Sequence, residues 1–116
     1  MKECDILIIG AGAAGLMAAY AAGISGSGKS VTVLEKMSRP GRKIMITGKG
    51  RCNVTNDCSA QEVLQNVPHN GRFLYSAMTA FPPSEIIAFF QNSGCALKTE
   101  RGNRVFPVTD KSQTVL

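Results

Sequence analysis

Apolar and polar positions divide this chain into a regular opening and a more broken remainder. Residues 4–9 run Cys-Asp-Ile-Leu-Ile-Ile and stop at Gly10. A short apolar run with β-branched content predicts a strand buried on both faces. From Ala13 to about Gly23 the chain is rich in Ala and carries Leu16, Met17 and Tyr20, which predicts a helix. Gly and Ser dominate residues 24–30, a flexible loop. Val31–Leu34 then predicts a second strand, ended by Glu35. Strand, helix and strand in this order form a βαβ unit, whose two strands run parallel.

Residues 36–58 are less regular. Ser59-Ala-Gln-Glu62 has the spacing of a capping box and opens a short helix toward Val67, stopped by Pro68. Residues 71–80 predict another helix, with Phe73, Leu74, Ala77 and Met78 on one side. Pro82-Pro83 breaks the chain, and Ser84 is positioned to cap a helix through Asn92, with Gly94 as its stop. Ala96–Glu100 and Val105–Val108 flank Arg101–Arg104 and predict a hairpin. Asp110 marks the start of one more helix, and Ser112–Leu116 reads as its first turn. Phe73, Phe89 and Phe90 read as core residues.

Composition narrows the class. The chain has 116 residues, 44% of them hydrophobic and 18% charged, a globular balance that fits one domain. No apolar run reaches the ~18 residues of a membrane span, and the lead-in Met1–Asp5 lacks the features of a secretion signal. These point to a cytoplasmic protein with no membrane partner. Cys4, Cys52, Cys58 and Cys95 contain no C-x-x-C pair, so free thiols are expected. The lone His69 has no companion ligands nearby, so no metal site is expected. The net charge of +5 permits a phosphate-rich partner without naming it.

The most informative pattern is Gly10-x-Gly12-x-x-Gly15 between the first strand and the first helix. Gly10 allows a tight turn, Gly12 lets the backbone approach a pyrophosphate, and Gly15 lets helix and strand pack closely. The helix N-terminus, at Ala13 and Ala14, offers N–H groups to an anion. Small residues continue at Ala19 and Gly23, four apart, as a flat stripe. Glu35 lies twenty residues past Gly15, where a carboxylate can accept both hydroxyls of an adenosine ribose. The fold class is therefore α/β, the N-terminal part of a Rossmann-like domain with an incomplete sheet. NAD and FAD share the ADP half, so the pattern does not separate them.

The next segment does carry a distinguishing sequence. Gly41–Asn56 reads Gly-Arg-Lys-Ile-Met-Ile-Thr-Gly-Lys-Gly-Arg-Cys-Asn-Val-Thr-Asn. It resembles the signature of the bacterial aminoacetone-oxidase-like, or BaiN-like, FAD-dependent oxidoreductases. Glu100–Pro107 with Thr109-Asp-Lys111 resembles that family's second signature, with Thr109 where Ser is usual. The loop at Ser25–Lys29 is longer than the family's usual turn. The resemblance implies an N-terminal portion of a larger two-dinucleotide-binding-domain flavoprotein, with residues 1–116 in its FAD-binding domain. It also implies hydride transfer through the flavin, with NAD(P)H or an organic substrate as the other reactant.

Carried over by position, Gly10, Gly12, Ala13, Ala14 and Gly15 would contact the FAD pyrophosphate and Glu35 the ribose. Lys36, Arg42 and Lys43 would lie near the adenosine or phosphates. Thr47, Gly48, Gly50, Arg51, Cys52 and Asn53 would approach the flavin side. No catalytic residue is identified.

Other readings stand beside these. Arg42 and Lys43 could be solvated loop charges, Arg51 could tie down its own loop, and Asn53 and Asn56 could cap turns. Cys52 is expected to pack, although Arg51 beside it could depress its pKa. An NAD-linked dehydrogenase remains the alternative enzyme. A basic nucleic-acid module would use the six cations between Lys36 and Arg51, but no aromatic residue interleaves with them, so no nucleic-acid partner is expected.

Overall fold

The computed structural model describes residues 3–116, so Met1 and Lys2 of the lead-in lie outside the described residues. The chain divides into two compact units at Met45/Ile46.

The first unit is the βαβ element. Strand β1 (Ile6–Ile9) pairs in parallel with β2 (Val31–Leu34), with Ile6 opposite Val31 and Ile9 opposite Leu34. Helix α1 (Ala13–Ile24) packs on both strands. Only one sheet face is covered. Ile6, Ile8, Val31 and Val33 are half-buried, whereas Ile9 is 83% exposed and Leu7 and Leu34 are also exposed. The expectation of a strand buried on both faces is thus corrected to one covered by α1 on one side only.

The start of α1 explains the glycines. Gly10 has φ +93°, a left-handed conformation that favours glycine. A Cβ built on Gly15 would collide with the Gly10 carbonyl and lie 3.5 Å from the Ile8 side chain. Gly15 is therefore where helix and strand backbone touch. Gly23 is different: it is exposed and a Cβ there meets nothing within 4 Å, so the small-residue stripe does not extend to it.

The second unit is built around a three-stranded antiparallel sheet of order β3-β5-β4, with β3 at Thr55–Asn56, β4 at Leu97–Glu100 and β5 at Arg104–Pro107. The expected hairpin is present, turning through Gly102 and Asn103, both at positive φ. The middle strand supplies the core: Val105, Phe106 and Pro107 are all buried, beside Cys52 and Cys95. Before it come α2 (Arg42–Ile46), which crosses the boundary between units, and then α3 (Ala60–Gln65), α4 (Tyr75–Ala80) and α5 (Pro83–Asn92). The Ser59–Glu62 capping box forms: Ser59 Oγ accepts the Glu62 N–H, and a Glu62 oxygen accepts the Ser59 N–H.

Three local expectations change. Helix α5 starts at Pro83, not at a Ser84 cap, because proline needs no N–H partner in the first turn. Residues 71–80 split into a 3₁₀ turn at Gly71–Leu74 and then α4, leaving Phe73 85% exposed and outside the core. Asn70, at φ +57°, precedes the 3₁₀ turn, and the change to α-helix falls between Leu74 and Tyr75. Asp110 does not open a helix; its φ is +54°, and only a 3₁₀ turn follows at Ser112–Thr114.

The glycine geometry sets a paired expectation. Gly15→Ala should destabilise the protein by about 1–3 kcal/mol, the usual cost of forced overpacking. Gly23→Ala, in open space within a helix, should be neutral or stabilising by up to about 1 kcal/mol. Denaturant midpoints of the two variants check both signs.

Candidate functional site

The residues singled out by sequence fall in both units. Gly10 to Lys43 belong to the first and Thr47 to Asn53 to the second, and each set is described within its own unit.

In the first unit the turn from β1 to α1 is held open and ordered. The Gly10 N–H donates to the Leu34 carbonyl at 2.7 Å, continuing the β-ladder past the strand end. Gly12 is the N-cap residue of α1 in extended backbone, and no side chain caps the helix. The N–H groups of Ala13, Ala14 and Gly15 cannot bond within the helix, by the geometry of its first turn. Gly12, Ala13 and Ala14 are exposed, and a Cβ on Gly12 or Gly10 would point into open space. No acidic residue occupies the first turn of the helix. Open space before uncapped N–H groups suits a pyrophosphate.

Glu35 sits at the end of β2 beside this turn. One carboxylate oxygen accepts the Ala11 N–H at 2.7 Å, and the other accepts the Met37 N–H at 2.8 Å. These bonds, that from Met37 first and that from Ala11 second, hold its pKa below the ordinary carboxylate value, with Arg42 adding a smaller electrostatic pull. The carboxylate is therefore ionised at neutral pH, and each oxygen keeps capacity for a further donor. Lys36, Arg39, Arg42 and Lys43 are exposed, and none forms an ion pair among the described residues.

The sequence picked out Gly41 as the first residue of the Gly41–Asn56 signature but not its tie to Ala11, a residue it passed over. Ala11 is 4% exposed, and its carbonyl accepts the Gly41 N–H at 2.7 Å. Gly41 is buried with φ +65°. The signal available was Pro40-Gly41, a turn pair.

In the second unit, Thr47–Asn53 is a tight loop. Gly48 and Lys49 are both at φ +57°, Gly50 at +85° and Cys52 at +62°. A Cβ on Gly48 would lie 2.8 Å from the Asn53 nitrogen and 3.0 Å from the Phe106 ring, so glycine is required there. The Arg51 guanidinium lies 4.0 Å from the centre of the Phe106 ring. Its Nη1 donates to both Glu100 oxygens at 3.0 and 3.1 Å, and to Asp110 at 3.2 Å. Lys98 Nζ closes the set, 2.7 Å from Asp110 and 3.3 Å from Glu100. Arg51 thus ties its loop to the hairpin, as its alternative reading held.

Asn53 and Asn56 make similar ties. With each side-chain amide assigned in the orientation that pairs its nitrogen with acceptors, Asn53 donates to the carbonyls of Thr55 at 2.9 Å and Val105 at 3.2 Å, and Asn56 to those of Gly102 and Asn103. The Cys52 thiol is buried, and burial pushes its pKa up, with the Cys95 thiol adding to the shift. The idea that Arg51 lowers this pKa is corrected: its charge is committed to two carboxylates. All four cysteines are free thiols, and no cluster of metal-binding side chains occurs among the described residues.

Comparison with known proteins identifies the family. Residues 4–116 match the model of the HI0933-like protein Rossmann domain. The chain belongs to that family, the group of FAD-dependent oxidoreductases that the sequence motifs resembled. It is 35% identical to a 3-dehydro-bile acid delta(4,6)-reductase of Clostridium scindens, covering 94% of this chain and 26% of that protein. It is 33% identical to the ribosomal RNA dihydrouridine synthase of Escherichia coli, covering all of this chain and 28% of the relative. The Haemophilus influenzae protein of that name is 36% identical over 86% of this chain and 24% of its own. The chain thus spans about a quarter of the length of these relatives. Two relatives named for ribosomal RNA leave the expectation of no nucleic-acid partner without support. No helix of the described residues is long and apolar enough to cross a membrane.

The four-charge network has a pH signature. The Arg51 hydrogen bond holds Glu100 below its ordinary pKa, and the Lys98 bond does so for Asp110. A carboxyl with a lowered folded pKa adds stability above its unfolded value, and that stability is lost as pH falls through the folded value. Stability should therefore drop as pH falls below about 4. Glu100→Gln should lower stability at neutral pH and flatten that drop, as read from denaturant melts at stepped pH.

Proposed function

We propose that this chain forms the FAD-binding entrance of a flavin-dependent reductase. The observation that carries the reading is the open, uncapped turn at Gly10–Gly15 beside an ionised Glu35. The N–H groups of Ala13, Ala14 and Gly15 would hold the pyrophosphate, with Gly10 and Gly12 giving it room. Glu35 would accept the ribose hydroxyls and disfavour a 2′-phosphate. Lys36, Arg42 and Lys43 would add positive charge near the phosphates. Thr47, Gly48, Gly50, Cys52 and Asn53 would form the loop toward the flavin side, with Arg51 bracing it. When bound, the flavin supplies two-electron hydride chemistry.

The direction of reaction is suggested by the relatives' names. One is a reductase, and the other two are named for making a dihydro product. Both names describe adding hydrogen to an unsaturated substrate, with NAD(P)H as the fitting donor. A ribosomal RNA base and a steroid-like ring are the two substrate classes the names offer. The free thiols fit a cytoplasmic setting.

The test uses the full natural polypeptide that carries this chain. Purified and desalted, it should be yellow and release flavin on denaturation. A colourless protein that releases none refutes the FAD reading, and recovery of bound NAD instead would favour the dehydrogenase alternative. Glu35→Ala should weaken flavin retention by about tenfold or more, as expected for losing charge-assisted hydrogen bonds.

A further inference from the structure

Glu35 does more in this structure than face a ligand. Its two oxygens each accept a backbone N–H, from Ala11 at 2.7 Å and Met37 at 2.8 Å. Ala11 is held on its other side as well, because its carbonyl, in the following peptide group, accepts the Gly41 N–H at 2.7 Å. Next to it, the Gly10 N–H is tied to Leu34 at 2.7 Å. Ala11 is 4% exposed, so it lies at the centre of these contacts rather than on the surface. Three separate segments, the end of β2, the turn at Gly41 and the turn after β1, thus meet on one residue, through the two successive peptide groups that flank its Cα. That residue immediately precedes Gly12 and the first turn of α1.

Resting on the dinucleotide reading above, we propose that Glu35 is a positioning residue for the phosphate-facing turn, in addition to any contact with ribose. Its carboxylate and the Gly41 N–H together hold the two peptides that flank Ala11 in the shape that leaves the helix N-terminus open before a ligand arrives. The physical gain is preorganisation: a turn already fixed loses less entropy on binding than a mobile one. A carboxylate suits this task, because it offers two acceptor oxygens to two N–H groups. Glutamine offers one oxygen and places an NH₂ against the second N–H. Gly41 suits it because its φ of +65° is strained for any residue with a side chain.

The experiment separates positioning from ribose contact by removing the ribose hydroxyls from the probe. The full natural polypeptide, freed of endogenous cofactor, is titrated with ADP and with 2′,3′-dideoxy-ADP. Glu35→Gln is expected to lose about tenfold in affinity for dideoxy-ADP, and more for ADP. Gly41→Ala is expected to lose a similar factor for both probes, since it touches only the turn. If Glu35→Gln binds dideoxy-ADP as well as wild type does, the carboxylate acts on ribose alone and the inference is overturned. Equal affinities in Gly41→Ala and wild type overturn it too.

Should either variant fail to fold, amide hydrogen exchange of the ligand-free wild type decides. A protected Ala11 N–H supports the clamp, and an unprotected one refutes it. A wild type that binds neither probe refutes the dinucleotide reading itself, an outcome distinct from either variant result.

Discussion

The close approach of α1 to the end of β1 is the constraint on which the first unit depends. At Gly15 the helix lies so near the Gly10 carbonyl that no side-chain carbon fits between them. That contact sets where the helix begins, and so which N–H groups point outward. It also explains why the chain reverses through a left-handed Gly10 and why Gly12 stays extended and uncapped. Glu35 and Gly41 then act on the intervening residue, Ala11, one through its N–H and the other through its carbonyl. Steric permission comes from the glycines and directional restraint from the hydrogen bonds. Each would be weak without the other, because a permissive turn with no restraint is entropically costly to order.

The second unit solves a similar problem with different chemistry. Its loop at Thr47–Asn53 carries four residues at positive φ, and two of them, Lys49 and Cys52, are not glycine. Such backbone persists only when its surroundings over-determine it. Here Phe106 provides the fixed surface, with Gly48 against its edge and Arg51 at its face. Arginine fits this place better than lysine would, since a planar guanidinium can stack on a ring while donating to two carboxylates. The pairs are partly exposed, so their worth falls with added salt. Buried packing of Val105, Phe106 and Pro107 remains the main source of stability, with the charges fixing geometry.

What the sequence made legible follows from how local each signal is. The βαβ element, the capping box and the hairpin rest on neighbouring residues, and their positions were readable from spacing alone. Gly10, Gly12, Gly15 and Glu35 were readable because a fixed interval joins them. Arg51 was visible as a cation, but its partners Glu100 and Asp110 lie 49 and 59 residues away, and no spacing rule joins them. The same holds for Gly41 on Ala11, a contact between two backbones that leaves no side-chain trace. Phe73 misled in the opposite sense: apolar character at helical spacing implied a core position, but Gly71–Leu74 forms a 3₁₀ turn, whose three-residue period differs from that of an α-helix, and the ring is exposed.

The distribution of charge gives the net +5 a more specific meaning. Every ion pair among the described residues involves Arg51 or Lys98, and both meet carboxylates of the hairpin and the turn after it. Those cations are neutralised locally and add little to any long-range field. Lys36, Arg39, Arg42 and Lys43, by contrast, form no ion pair among the described residues and lie within eight residues after Glu35 in the chain. Arg42 still lowers the Glu35 pKa, so it is close enough to act on that carboxylate electrostatically. An approaching diphosphate would therefore meet unspent positive charge beside a single ordered anion. Under the proposed dinucleotide reading, that arrangement would attract the phosphates while leaving the carboxylate for neutral hydroxyl donors, and it would disfavour a 2′-phosphorylated ribose at the same place.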